Sequence, residues 1–204
     1  MGRLKTYQRE DLARRAMALF WQHGFDGTST QMLVDDMGVN RFSLYAEFGH
    51  KKGLFEAALA LYEDEVVARN LAGIEAPAAG LQAIQQLFDG FAQWAGEHNA
   101  VLGCLICNTA TELAAKDPSS QVVVNRYVAR LSTAFAHCLQ QAQADGQLQQ
   151  DVDALQEGRF LATLLLGFLV QLRAQVPVLQ VQASAQGVQA YLRRLTKPAS
   201  AGAD

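Results

Sequence analysis

Proline is scarce in this chain, with four residues in 204. Proline breaks a helix interior, so its rarity leaves room for long helices. Cysteine is rarer still. Cys104, Cys107 and Cys138 form an odd set that closes no disulfide framework, and nothing resembles a secretory signal. A reducing cytoplasm is the expected setting. Charged residues are sparse, at 18%. Long apolar runs are missing: the longest, Phe160 to Leu172, spans 13 residues. About 18 are needed to cross a bilayer, so the run reads as a buried helix and no membrane is expected. Strand alternation is absent, and Val122-Val123-Val124 and Val176-Pro177-Val178 are the only β-branched clusters. No catalytic triad, paired carboxylates, phosphate loop or dinucleotide fingerprint is found, so an enzyme is not expected. No second Cys-x-x-Cys accompanies Cys104 and Cys107, and only His98, His137 and Cys138 add plausible soft ligands. Neither a metal nor a cofactor is expected. The start, Met1 to Thr6, fits a myristoylation pattern loose enough to match by chance.

What is present points to helices. Half of the residues are hydrophobic, enough for a core, and alanine, leucine and glutamine are good helix formers. The net charge of −3 is unevenly spread: residues 1–53 carry eight Lys/Arg against six Asp/Glu, and the remainder nine against fourteen. A local phosphate-binding face near the N-terminus is compatible with that split.

Turn signals divide the first quarter into helices. Leu12, Ala16, Leu19 and Phe20 make one apolar face, and Gly24 stops that helix. Thr28 with Gln31 fits a capping box opening a second helix, which carries Leu33, Val34 and Met37 and ends at Gly38. Asn40 caps a short third helix through about Glu47. After a break at Phe48-Gly49-His50, Lys51 or Lys52 opens a fourth, with Leu54, Phe55, Ala58, Leu61 and Tyr62 on its buried side. Two helices joined tightly through Gly38-Val39-Asn40 form a helix-turn-helix, in which Gly38 supplies a positive φ and the third helix is held out toward a major groove.

These residues resemble the TetR family of bacterial regulators. The resemblance is carried by Gly24-Phe25, Thr28-Ser29, Leu33-Val34, Gly38-Val39, Leu44-Tyr45, Phe48, Lys51 and Leu54-Phe55, over about 50 residues. It implies an all-α fold: a three-helix helix-turn-helix domain over 1–53, then a larger helical effector-binding and dimerisation domain over 54–196. A disordered tail is expected over 197–204. The resemblance also implies roles. Thr28 and Gln31 would meet a phosphate, Arg41, Phe42 and Ser43 would read base edges, and Tyr45 and Lys51 would contact the backbone. Glu47 stands where the family often has an aromatic residue or histidine; it either turns away or accepts a hydrogen bond from a cytosine amine. Arg3, Lys5 and Arg9 are either an arm that follows DNA or a solvated tail.

Beyond a Gly/Ala/Pro-rich connector at 71–80, longer amphipathic segments follow. One carries Leu81, Ile84, Leu87, Phe88, Phe91 and Trp94; others span about 103–115, 119–144, 153–175 and the stretch ending near Leu195. Residues 160–169 are apolar nearly all round, so a second covering surface is needed. Together with Val188, Tyr191, Leu192 and Leu195 they suit an intersubunit four-helix bundle, a homodimer through the last two helices. Pocket candidates for a small-molecule effector are Phe88, Phe91, Trp94, Cys107, Asn108, Phe135, Phe168 and Gln171; each has an alternative reading as core or surface. Cys104 and Cys107 share a helix face. With His98 nearby they suit a thiol-based electrophile or redox sensor, or are simply small buried hydrophobes. The leading expectation is a repressor that binds a near-palindromic operator in double-stranded DNA and is released from it by a small-molecule effector. The other alternative is a helical small-molecule carrier that never touches DNA.

Overall fold

The structure is a computed structural model and describes residues 7–197. Arg3, Lys5, the Met1–Thr6 pattern and the tail from 198 onward lie outside the described residues. Among those described there is no strand, only one isolated bridge between Leu148 and Thr196. The helices are α1 (Arg9–Gly27), α2 (Thr30–Met37), α3 (Arg41–Phe48) and α4 (Lys51–Tyr62). A π-helical segment, Glu63–Val67, leads from α4 into α5 (Ala68–Leu71). Then come α6 (Leu81–Trp94), a 3-10 turn (His98–Leu102), α7 (Leu105–Glu112), α8 (Pro118–Ala144), α9 (Ala154–Arg173) and α10 (Val178–Leu195).

The chain forms two compact units, and neither is one continuous stretch. The first combines the described residues up to Arg69 with Cys104–Gln121; the second combines Asn70–Gly103 with the described residues from Val122 onward. The sequence division at 53/54 is contiguous and does not describe this interleaving.

In the first unit α1 buries Leu12, Ala13, Ala16, Met17 and Phe20, the face that the spacing predicts. Phe20 and Phe25 meet Phe55 of α4, with ring centroids 4.9 and 5.0 Å apart. The turn between α2 and α3 works as expected: Gly38 is left-handed (φ 65, ψ 24) and its N–H caps α2 on the Val34 carbonyl. Asn40 then caps α3 by accepting from the Ser43 N–H at 2.8 Å.

Two local expectations need correction. Gly24 does not end α1; it breaks it, with φ 76 and ψ 176, and the helix resumes to Gly27. The cap of α2 is Ser29, which accepts from the Met32 N–H at 3.1 Å. Thr28 is buried instead, and its hydroxyl donates to the Gly24 carbonyl at 2.6 Å. No capping box forms, because Gln31 donates to Asp35 at 2.7 Å.

In the second unit Phe88, Phe135 and Phe168 are buried against one another. Phe88 lies 6.0 Å from Phe135 and 6.3 Å from Phe168 between ring centroids. The stretch after α5 is pinned rather than loose. Arg130 of α8 grips Glu75 through two hydrogen bonds, 2.5 and 2.8 Å long. His137 bonds the Pro77 carbonyl, and Cys138 donates to that of Ile74. Asp153 caps α9 as expected, accepting from Leu155 and Gln156. Helix α9 is long and apolar enough by composition to cross a membrane, which the 13-residue run did not indicate. Leu161, Ala162, Leu165, Phe168, Leu169 and Leu172 are nonetheless buried within this unit, while Phe160, Thr163, Gly167 and Val170 are exposed along one side.

Candidate nucleic-acid interface and sensor residues

Helix α3 buries Leu44 and Phe48 and turns its first residues outward. Arg41 is exposed, and Phe42 is 85% exposed, an unusual cost for a phenylalanine in water. One turn on, Tyr45 is half-buried. Its hydroxyl bonds Thr30 at 2.8 Å, and the Arg41 guanidinium lies 5.3 Å from its ring centroid. That contact spans i to i+4 and holds Arg41 against the helix. Ser43 is half-buried, with its N–H committed to the cap. Thr30, which sequence reasoning passed over, ties α2 to α3 through Tyr45.

Helix α4 begins at Lys51, with His50 as its cap; His50 Nδ1 accepts from the Gly53 N–H at 3.0 Å. The Lys51 ammonium sits 4.3 Å from the Phe25 ring centroid, beside the helix N-terminus. A cation and free N–H groups there suit an anion. Arg9 is the first residue of α1, with its guanidinium 4.7 Å from the Phe48 ring centroid, and so is anchored rather than a loose arm. Glu47 is half-buried on α3.

The structure thus gathers Arg41, Phe42 and Tyr45 at one end of α3 and places Lys51 at the start of α4. Gln31 stands exposed on α2. Thr28 does not join them. A hydroxyl fully buried and bonded to a carbonyl cannot also present itself to a phosphate, so the side-chain contact expected of Thr28 is withdrawn.

The pocket candidates fall in both units. Cys107 and Asn108 belong to the first; Phe88, Phe91, Trp94, Phe135, Phe168 and Gln171 belong to the second. Phe88, Phe135 and Phe168 fill the core, whereas Phe91 and Trp94 are half-buried with rings 6.0 Å apart. Gln171 accepts from Ser184 of α10 at 3.4 Å.

All three cysteines are free and buried. Cys104 is the N-cap residue of α7. Burial raises its thiol, but the Cys107 thiol, the N–H dipoles of Cys107 and Ile106 and the Tyr62 hydroxyl outweigh that and hold it below its ordinary value. Cys107 is raised, by its hydrogen bond to Cys104 first and by burial second. Burial pushes Cys138 up to about 11. No cluster among the described residues could hold a metal ion.

This arrangement is that of a helix-turn-helix DNA-binding regulator. Residues 12–58 match the family profile described as bacterial regulatory proteins of the tetR family, and residues 80–198 match the tetracyclin repressor-like C-terminal domain. The chain is 31% identical to the uncharacterized HTH-type transcriptional regulator YezE of Bacillus subtilis, over 88% of this chain and 94% of that one. It is also 31% identical to the HTH-type transcriptional repressor ComR of Escherichia coli, over 84% and 82% of the two chains. Among solved structures, a TetR regulator from Chloroflexus aurantiacus superposes with a TM-score of 0.82 at 22% identity, over 94% of this chain and 96% of that one. A cysteine mutant of the TetR-family regulator CifR, complexed with 26-bp operator DNA, superposes with a TM-score of 0.76 at 29% identity, over 94% and 98%. The chain belongs to the TetR family, and it is a DNA-binding transcriptional regulator.

Proposed function

We propose that the protein is a cytoplasmic, non-enzymatic repressor that holds a near-palindromic operator as a homodimer and releases it when a small molecule binds the helical C-terminal region. The observation that carries this reading is the outward array on α3 and α4. Arg41, Phe42 and Ser43 enter a major groove and read base edges, while Tyr45 and Lys51 take backbone phosphates. Gln31 adds a polar contact from the start of α2. Phe42 offers an apolar surface of the kind that meets a thymine methyl group. ComR is a repressor and CifR is seen on operator DNA, which supports both the mode and the sign of regulation.

Dimerisation through α9 and α10 is the natural use of their exposed apolar residues. Phe160, Val170 and Leu179 are 43%, 49% and 81% exposed. A specific interface needs about 1,000 Å² or more of buried surface, which two helices per subunit can supply. Phe91 and Trp94, which are half-buried, and Gln171 are the residues offered to the effector.

Selection of random duplexes by the purified protein tests the core of this reading. Enrichment of two related half-sites spaced by the helical repeat is expected. No enriched sequence at low salt would reject it in favour of a carrier that does not bind DNA. The thiol-sensor reading has weaker support, since reactive cysteines are partly exposed and Cys104 and Cys107 are not.

A further inference from the structure

The geometry points to Glu112 as the positioning residue of the DNA-reading helices. Glu112 is the last residue of α7, far along the chain from the helix-turn-helix, yet it belongs to the same unit. Its carboxylate uses both oxygens on one corner. Oε2 accepts from the Phe25 N–H at 3.0 Å and Oε1 from the Asp26 N–H at 2.7 Å. The break at Gly24 turns these two amides toward α7. A side chain there is strained by the positive φ, and its Cβ would stand 2.7 Å from Glu112 Oε2, so the carboxylate would have to move off the corner.

The corner that Glu112 grips is the one that launches α2. The Thr28 hydroxyl donates to the Gly24 carbonyl one residue before the Ser29 cap, and α2 leads through Gly38 into α3. A path of hydrogen bonds and short backbone therefore runs from the Glu112 carboxylate to Arg41 and Phe42. The same segment holds α4 as well, since Lys52 pairs with Asp117 and Ser119 donates to Glu56 at 2.9 Å, while Lys116 lies 3.4 Å from Asp26 of α1. The segment is joined by chain to the second unit at both ends. Sliding α7 by an ångström must either carry the α1–α2 corner with it or break two charge-assisted hydrogen bonds.

Charge makes the test decisive. Removing an acid from a DNA-binding unit should tighten DNA binding if electrostatics alone is at work. Positioning has the opposite sign, and only on the operator. For Glu112→Gln, affinity for a selected operator is expected to fall about tenfold, with a scrambled duplex bound as before or slightly tighter. Glu112→Asp keeps the charge but is one methylene short, and is expected to behave like Glu112→Gln. Restored operator binding in Glu112→Asp, or an unchanged operator-to-scrambled ratio in folded Glu112→Gln, would overturn the proposal. If neither variant folds, amide exchange of the wild-type protein decides: Phe25 and Asp26 should stay protected on the operator, and exchange at loop rates there would overturn it. The inference rests on α3 being the reading helix. Failure to select any operator would strike that assignment, whereas a selected operator with an unchanged ratio would strike Glu112 alone.

Discussion

Phe42 and Phe135 are the same residue type put to opposite uses in the two units. Phe42 is 85% exposed at the tip of α3; Phe135 is fully buried between helices of the second unit. The first unit spends its tight packing on Phe20, Leu33, Leu44 and Phe55, so that a few side chains can be held out and left unburied. The second unit turns its largest rings inward. An exposed phenylalanine that stabilises nothing in the free protein is informative about a partner; a buried one reports on the core.

The contrast can be broken most forcefully by truncation. Phe135→Ala should lose about 3–5 kcal/mol of stability in thermal or denaturant melts, while Phe42→Ala should stay within about 0.5 kcal/mol of wild type. Equal losses would make the α3 tip a structural element. Next in size, Arg41→Ala should weaken a matched operator by about 1–3 kcal/mol and relax preference at one position. Lys51→Ala should instead weaken all duplexes together and lower the salt slope by about 1, both measured by titration at several salt concentrations. Smaller again is the methyl test. Replacing one thymine in a single half-site by deoxyuridine should cost the wild type about fourfold, the worth of one buried carbon at about 0.8 kcal/mol. The same replacement should cost Phe42→Ala nothing.

The smallest effect concerns acid. Lys52 first, then Ser120, hold the Asp117 carboxyl well below its ordinary range. A depressed acid contributes its stability fully above the ordinary carboxylate pKa, about 4, and loses it as pH falls through the lowered value. Melting temperature between pH 5 and 8 should not move with this group. Asp117→Asn should soften the decline in strong acid, and a variant that declines as steeply as wild type would remove Asp117 from that account.

The sequence was most legible where structure is set by near neighbours. Gly38, Asn40, Lys51 and Asp153 were found because a turn or a cap needs only a residue type at one offset. The error at Thr28 has the same origin. Both Thr28 and Ser29 can cap, and what separates them is the Gly24 carbonyl, which is in reach only because α1 breaks there. The grip of Glu112 on the α1–α2 corner left no local trace, since its partners lie 86 and 87 residues away. The division into units was hidden for the same reason. Periodicity identified 103–115 as a helix but not the body against which it packs. In the second unit the aromatic residues were correctly seen as apolar, yet residue type does not separate a core ring from a pocket wall.

The interleaving of the two units limits how this regulator can be rebuilt. DNA-binding domains are natural parts to exchange when a sensor is to be wired to a new promoter. A transplant cut once, after residue 53, would carry Phe25, Asp26 and Lys52 but leave Glu112 and Asp117 behind in the donor. The graft would read DNA well only if the host supplies a carboxylate at the same spot. Moving residues up to Arg69 together with Cys104–Gln121 would transfer the part as the chain builds it.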